Sequence, residues 1–322
     1  MDRASVAARP GAVPSLAARR RHRTRSWWRS VDRRGGLHRL VLRRRGGGAA
    51  GFEAHLAEPP DTQAARGRKR RAKTDRSDCR LLRELLRDGR LPASWIAPTI
   101  VLEWRERARL YKTLVDQRST WVQRIHAELY QHGVTLPETS IRWAKTRELL
   151  EDDGLEISPA GRQRVLTAYR MIDALTIESR PLKADLQHFG RRQPGCRALV
   201  EHQYGIGGLL AVVMWSELGD CQRFARSEQV VRHSGLDVTV DQSDRRRAGG
   251  FLSRQGPQAL RWALYEAAKN ASHQRSPDHD YYADVKDHLN GKLATISMAR
   301  KLARRCFHVL RAVDPNAVYA TP

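Results

Sequence analysis

Apolar residues recur at three- and four-residue steps over most of the chain, which predicts a mainly helical protein. The first predicted helix spans Thr74–Arg87 and carries leucines on one face, with Thr74 as its N-cap. A longer helix is predicted over about Leu102–Gln131. A later helix through Val165–Leu175 continues the same period, and we expect Pro181 to bend or end it because proline lacks the backbone N–H.

The C-terminal part shows the same period in shorter pieces. Tyr204–Gly208 lies between two helical patterns, of which the second is predicted over Leu209–Leu218. Asp237–Gln255 is polar and lacks periodicity, so we predict an irregular stretch there. The remaining helical patterns span Ser227–His233, Pro257–Ala271 and Lys292–Val313.

Only Phe52–Ala57 reads as a strand, and Pro59 and Pro60 stop it. Residues 1–50 have almost no periodicity and are predicted to be disordered, because their composition offers little apolar surface to bury. We therefore divide the chain into a disordered segment at 1–50, a small mixed region at 51–100, a helical or coiled-coil linker at 101–192, a helical domain at 193–313 and a tail at 314–322.

The formal net charge of +24 and an isoelectric point near 10.9 indicate a polyanionic partner, and nucleic acid fits best. An anionic membrane surface is the rival, but no apolar stretch approaches the roughly 20 residues of a membrane span, and no signal peptide is visible. The four cysteines stand singly, which indicates neither a zinc site nor a disulfide framework. We expect a soluble, cytoplasmic protein.

Residues 1–50 contain fourteen arginines, no lysine and no glutamate. One interpretation is a basic arm that binds nucleic acid. The other, which we favour, is a GC-rich gene read in the wrong frame, since such reading yields arginine runs with glycine.

Asp75 and Asp78 are three residues apart at the start of a predicted helix, so their carboxylates face the same way. Carboxylates at this spacing are suitable ligands for Mg²⁺, the metal of phosphoryl-transfer sites. The alternative is that acidic residues occupy the first turn because they complement the helix dipole.

Two serines lie beside arginines in the polar stretch. Ser243 precedes an arginine cluster, and Ser253 precedes Arg254. Arginines could hold a phosphate while a serine hydroxyl attacks it, although a loop serine among arginines is more often a phosphate or solvent contact. The Gly205–Gly207 turn could admit a phosphate to its backbone, as in helix-hairpin-helix DNA binders, or form a tight turn only. The residues expected to bind nucleic acid are Lys69, Arg70, Arg71, Lys73, Gly205, Gly207, Arg245, Arg246, Arg247 and Arg254.

Five motifs occur in an order that resembles one family. Lys73–Leu82 resembles the K-T-D-x-x-D-A-x-x-L signature of insertion sequence 110 transposases, which are Piv-invertase-like DEDD recombinases. The other four resemble that family's P-G-I-G, I-G-D-x-x-R-F, A-G-L and I-S-K-x-G segments, and they are Tyr204–Gly207, Leu218–Phe224, His233–Leu236 and Leu252–Gly256.

The resemblance implies an N-terminal RNase-H-like (RuvC-like) α/β domain, a coiled-coil linker and a helical C-terminal transposase domain with a helix-hairpin-helix-like turn. It implies four acidic Mg²⁺ ligands, the last two matching Asp75 and Asp78, and a serine nucleophile matching Ser243, with Ser253 as the second candidate. It further implies DNA as substrate, a structured non-coding RNA as guide, dimers or tetramers, and no organic cofactor.

The match is incomplete in one respect. The family's first acid lies in a G-I-D-type strand and its second, a glutamate, ends a later strand, but neither motif occurs here. We therefore expect region 51–100 to be a partial RNase-H-like domain and the chain as written to be an inactive or crippled transposase. The competing hypothesis is a nucleic-acid-binding remnant or regulator without catalysis.

The reading-frame interpretation makes a direct prediction. Translation of the other two frames of the upstream DNA should yield a G-[IV]-D strand and an E-x-[TC]-G segment. Finding neither segment would instead favour a true binding protein with a basic arm.

Overall fold

The computed structural model describes residues 55–57, 62, 65, 75–134, 157–238, 242–243, 246–247 and 251–314. The chain divides into two compact units, Met1–Ile96 and Ala97–Pro322. Helices dominate the described residues, which confirms the mainly helical prediction. The predictions for residues 1–50, for the Thr74 cap and for the basic loop from Lys69 to Lys73 lie outside the described residues.

Within the first unit, strand β1 (Leu56–Ala57) pairs antiparallel with β2 (Ala93–Ser94). Helix α1 (Asp75–Arg87) lies between them in sequence and ends at Gly89, whose φ of +65° suits glycine. The predicted strand is thus confirmed over its last two residues and the predicted helix over thirteen. These two short strands do not test the RNase-H-like assignment, which stays a prediction.

The second unit begins with two long helices, α2 (Thr99–Gln131) and α3 (Pro159–Arg192). They run antiparallel, because Trp104 near the start of α2 stacks on Phe189 near the end of α3, with ring centroids 3.8 Å apart. At the opposite end one buried cluster joins the helices, formed by Ile125, Leu129, Ile157, Val165, Ala168, Tyr169 and Ile172. Helices α2 and α3 therefore pack as an antiparallel pair, which we call the helical hairpin.

Of the two predicted effects of Pro181, a helix end is excluded because α3 continues through it to Arg192, and a bend at this position stays a prediction. A proline in a helix interior removes one hydrogen bond and crowds the preceding turn. Pro181 is exposed, so water can reach the carbonyl that loses its partner. The destabilisation caused by this proline is therefore small enough to be offset by the packing of α2 against α3.

A short apolar helix forms the centre of the second unit. Helix α5 (Gly208–Leu218) is buried continuously from Ala211 to Leu218, as expected for a helix that is apolar on every side. It packs against α2, α3, α4 (Pro194–His202) and α7 (Gln258–Lys269). Helix α9 (Gly291–Ala312) covers α4 and α7, together with α6 (Ser227–His233) and α8 (His279–His288).

The stretch predicted to be irregular contains paired backbone. Strand β3 (Gln242–Ser243) pairs antiparallel with β4 (Arg246–Arg247), and Val238 forms an isolated antiparallel bridge with Leu252. Periodicity could not reveal this pairing, because strands of two residues are too short to show an alternation of apolar and polar side chains. We call residues 237–255 the serine arm.

Helices α3 and α5 approach so closely at Gly190 that no side chain fits there. A Cβ at Gly190 would lie 2.4 Å from the carbonyl oxygen of Gly208, which is backbone and cannot rotate away. The glycine thus sets the distance between the helical hairpin and the central helix.

We predict that Gly190→Ala lowers the free energy of unfolding by about 1–3 kcal/mol, because the added methyl group must push the two backbones apart. Urea unfolding followed by circular dichroism measures the change. Gly291→Ala is the matched control, since its Cβ would meet only the Tyr282 hydroxyl at an ordinary 3.6 Å. Equal stability of the two variants would contradict the close-contact explanation.

Candidate functional site

The two predicted metal-binding acids open helix α1. Asp75 is its first residue and Asp78 follows one turn later, half-buried, with its Oδ1 atom inaccessible to solvent. The described residues contain no group of three or more histidine, cysteine, aspartate or glutamate side chains that could hold a metal ion. The metal-binding role of Asp75 and Asp78 therefore stays a prediction.

The predicted nucleophile Ser243 lies in β3 of the serine arm, directly opposite Arg246 of β4. Arg247 follows in the same strand and pairs with Gln242. The hairpin therefore brings the serine and two of the predicted arginines onto adjoining strands. Arg245 lies outside the described residues.

The second candidate, Ser253, is fixed at the base of the arm. Its amide donates a 3.0 Å hydrogen bond to the Asp237 carbonyl, and its hydroxyl donates to Oδ1 of the Asp237 carboxylate. The neighbouring bridge joins Val238 and Leu252. Asp237 and Ser253 thus close the arm through backbone and side chains together.

Arg254 is the one non-glycine residue of the described ranges with a positive φ, at +52°. This conformation is held from both sides, because the Arg254 amide donates to the Gly235 carbonyl at 3.1 Å and its own carbonyl accepts from the Gly256 amide at 3.1 Å. Strained residues of this kind persist only where their surroundings fix them, and they concentrate at functional sites.

Two of the sequence motifs meet here backbone to backbone. A Cβ at Gly256 would lie 2.3 Å from the His233 carbonyl oxygen, and a Cβ at Gly235 would lie 2.9 Å from the Arg254 carbonyl carbon. Gly235 also has a φ of +68°. The structure therefore brings the His233–Leu236 and Leu252–Gly256 motifs into contact, and both glycines are required for it.

Further arginines hold this junction from the helices behind it. Arg261 of α7 donates through Nη1 to the Ser234 carbonyl at 3.2 Å, and Arg300 of α9 donates through Nε to the Leu236 carbonyl at 2.6 Å. Burial and the charge of Arg254 lower the pKa of Arg261, while burial and Arg304 lower that of Arg300. Positive charge thus accumulates around the base of the arm, which suits an anionic ligand.

A buried carboxylate lies behind the junction. Glu217 of α5 has a side chain only 1% exposed and accepts two hydrogen bonds from Arg109, at 2.6 and 2.8 Å. The hydrogen bond with Glu217 raises the pKa of Arg109. Arg105 donates to the Ser216 carbonyl at 2.8 Å and lies 3.7 Å from Glu217, and burial lowers its pKa.

His233 connects this cluster to the arm. Its Nε2 atom lies 3.4 Å from both the Glu217 carbonyl oxygen and Nη2 of Arg223. Burial, then the charge of Arg223, lowers the pKa of His233 to about 4, so the ring is neutral at physiological pH.

The glycine turn ahead of α5 has one tight and one open position. Gly205 has a φ of +83°, and a Cβ there would lie 2.8 Å from the Asn270 Cβ, while the Asn270 amide donates to the Gly205 carbonyl at 3.3 Å. Gly207 has no heavy atom within 4 Å of the same point. Gly205 is thus needed for packing against Asn270. Gly207 leaves the start of α5 open to the close approach of a ligand.

Sequence reasoning missed Asp237, Glu217, Arg261 and Arg300. An acid inside an apolar helical run was a usable signal for Glu217, because a buried charge requires a partner. Nothing local distinguishes the other three, whose partners lie on separate segments.

Comparison with family models gives two matches. Residues 197–283 match the model described as "Transposase IS116/IS110/IS902 family", and residues 31–133 match a DEDD-type IS110 model described as "Transposase". Together they cover more than half of the chain. The second match includes residues 31–50, for which the reading-frame interpretation stays a prediction. No curated protein matches the chain, and within the described residues no helix is both long and apolar enough to cross a membrane.

The depressed pKa of His233 predicts a pH dependence of stability. Between its folded value of about 4 and its ordinary 6.5, the unfolded state binds a proton that the folded state does not. Stability should therefore fall as the pH drops from about 6.5 to about 4, by at most about 3 kcal/mol. Urea unfolding at several pH values across this range measures how the free energy of unfolding changes with pH. This dependence should be weaker in His233→Gln than in the unaltered chain.

The control is His288→Gln. A hydrogen bond to the Asp284 backbone raises the pKa of this exposed histidine, so its contribution is present at low pH and is lost as the pH rises through its folded value. Removing it should leave the slope due to His233 in place. An unchanged slope in His233→Gln would contradict the assignment.

Proposed function

Because the chain belongs to the insertion sequence 110 family of transposases, we propose that its serine arm supplies the nucleophile of a DNA strand-transfer reaction. One observation carries the proposal. The antiparallel pairing of β3 with β4 sets Ser243 opposite Arg246 in an arm whose base is surrounded by arginines.

The chemistry of the proposed step balances without an energy source. The Ser243 hydroxyl loses its proton and its oxygen bonds to a DNA phosphorus, while the bond from that phosphorus to a deoxyribose oxygen breaks and the oxygen takes up a proton. A phosphoserine ester results, and attack by the hydroxyl of another DNA end reverses the exchange. Arginine side chains, Arg246 and Arg247 among them, bind the phosphate oxygens and stabilise their charge.

We assign the nucleophile to Ser243 rather than Ser253 because the Ser253 hydroxyl has another role. It donates to the Asp237 carboxylate at the base of the arm, and its amide is fixed to the same residue. Ser253 is therefore a positioning residue in our proposal, one that holds the arm and with it Ser243.

The family's divalent metal is proposed here to be Mg²⁺, held in part by Asp75 and Asp78. Bound Mg²⁺ would polarise the phosphate under attack. Two carboxylates on one face of α1 suit such an ion as partial ligands. Because they are an incomplete set, we derive no reaction step from them and propose that the chain as written does not cleave DNA.

The proposed partners are DNA, a structured RNA guide and further copies of the chain. The net charge of +24 supports nucleic-acid binding, and the open Gly207 turn supports a phosphate contact there. Pairing of the acids from one subunit with the serine of another would require a dimer or tetramer. The α2–α3 hairpin supports that assembly, since Leu110 and Ile177 expose 53% and 68% of their surface.

A second candidate function is a nucleic-acid-binding remnant or regulator. The absence of the family's first two acid motifs from the sequence favours it, while the buried Glu217 cluster and the buried residues of α5 belong to an extensive core in the described part of the second unit. Mg²⁺-dependent cleavage by the 322-residue chain would contradict our expectation that it is inactive.

We predict that, once the two acids that this sequence lacks are supplied, Ser243→Ala abolishes the covalent protein–DNA adduct while DNA binding persists. Ser243→Ala removes the hydroxyl that would bond to the DNA phosphorus, but the arginines that bind the phosphate remain. Denaturing gel electrophoresis of labelled DNA detects the adduct, and a filter-binding assay measures affinity.

Ser253→Ala is the matched control. It should lower the yield of adduct without abolishing it. The arm loses the hydrogen bond between Ser253 and Asp237 but keeps Ser243 as its nucleophile. Loss of the adduct in Ser253→Ala together with its survival in Ser243→Ala would show that the nucleophile was assigned wrongly.

A further inference from the structure

A serine, a histidine and a glutamate meet where α2 ends and α3 begins. The Ser158 hydroxyl lies 3.2 Å from Nε2 of His132, whose Nδ1 atom lies 3.0 Å from the Glu128 carbonyl oxygen and 3.9 Å from its carboxylate atom Oε1. Ser158 is exposed, while the side chains of His132 and Glu128 are 21% and 10% exposed. The three groups thus form a chain that leads from the surface inward.

The hydrogen bonds of His132 determine the direction of the serine proton. A carbonyl oxygen can only accept, so in the neutral ring Nδ1 carries the hydrogen and donates it to the Glu128 carbonyl. Nε2 is then an acceptor, and the Ser158 hydroxyl donates to it. A serine oxygen bonded in this way can attack an electrophile while the imidazole takes up its proton.

The Glu128 carboxylate is placed to stabilise the imidazolium that would form. Its Oε1 atom is inaccessible to solvent and forms an ion pair with Arg164 at 3.1 Å, without accepting a hydrogen bond of good geometry. Oε1 can therefore receive Nδ1–H when His132 gains a proton. Gly161 leaves room for this arrangement, since a Cβ there would lie 2.9 Å from both Oε1 of Glu128 and Cε1 of His132.

Helix capping accounts for the oxygen of Ser158 but not for its proton. The Ser158 oxygen accepts from the Gly161 amide at 3.1 Å, which is the N-cap contact of α3. The cap would form equally well with the hydroxyl proton directed to water. Ser119, an exposed serine of α2, shows the common alternative, because its hydroxyl donates to the Val115 carbonyl of its own helix at 3.0 Å.

We propose that Ser158 is the nucleophile of an acyl-transfer site that acts on small carboxylic esters, with His132 as its general base. The Ser158 oxygen bonds to the ester carbonyl carbon while its proton passes to Nε2 of His132. The bond from that carbon to the alcohol oxygen then breaks, and the alcohol leaves with the proton from His132. Water attacks the acyl-serine by the same route and releases the acid, so ester and water are the only reactants.

The start of α3 supplies a donor for the charge that develops on the ester oxygen. The helix begins with Pro159 and Ala160, both exposed. Amides of a first helical turn lack partners within the helix, so the Ala160 amide is placed to donate to that oxygen. The positive end of the 34-residue helix lies at the same point and favours the developing negative charge.

The test is labelling of the 322-residue chain with a fluorophosphonate, which bonds to serine oxygens that a base activates and releases fluoride. Trypsin releases residues 148–162 as one peptide, in which Ser158 is the only hydroxyl-bearing residue, and residues 233–245 as another, which contains Ser243. Mass spectrometry should find the phosphonyl group on the first of these peptides.

Two variants separate a nucleophile from a helix cap. His132→Gln should slow the labelling about 100-fold or more, because glutamine can accept the hydroxyl hydrogen bond but cannot take up the proton. Ser158→Asn should abolish the labelling, although its side-chain oxygen still caps the Gly161 amide and α3 stays helical by circular dichroism. Release of p-nitrophenol from p-nitrophenyl acetate should fall in both variants.

Ser119→Ala is the matched control and should change neither the labelling nor the release of p-nitrophenol. Absence of the label from residues 148–162, or labelling of them at an unaltered rate in His132→Gln, would overturn the proposal and leave Ser158 as a helix cap. Either result leaves strand transfer at Ser243 unaffected, because the covalent DNA adduct tests that function separately.

Discussion

The burial of one carboxylate constrains much of the second unit. Glu217 lies in the continuously buried part of helix α5, and a charge there is tolerated only when it is paired and hydrogen-bonded. Arg105 and Arg109 provide that pairing from α2, so the ion pairs fix the long hairpin to the central helix. Removing one partner of such a pair typically costs about 3–5 kcal/mol.

The same constraint extends to the serine arm. His233 lies against the Glu217 backbone and stays neutral because burial lowers its pKa. The His233 carbonyl lies within the space that a side chain at Gly256 would need, so the close approach of the two motifs requires glycine at position 256. The arm then leaves this junction through the Asp237–Ser253 contact. Core packing therefore fixes the base of the serine arm, which carries the proposed nucleophile.

Helical periodicity predicted the helices well where one apolar face recurs, and α6 has the predicted bounds at both ends. It missed α8, which has no buried residue and so no apolar stripe to detect. It left open whether Pro181 bends or ends α3, and the helix does not end there because the packing of the hairpin outweighs a local preference against proline. The motifs that meet in the site were identified from sequence, but their contact was not, since it depends on backbone pairing between segments about twenty residues apart.

The sequence by itself determined the family, the helical character and the positive charge, because each follows from residue identity and order along the chain. The tertiary structure alone decided that the Ser253 hydroxyl is held by the Asp237 carboxylate and which arginines surround the junction. These are relations between residues far apart in the chain, and only the folded backbone brings their polar and apolar groups within contact distance.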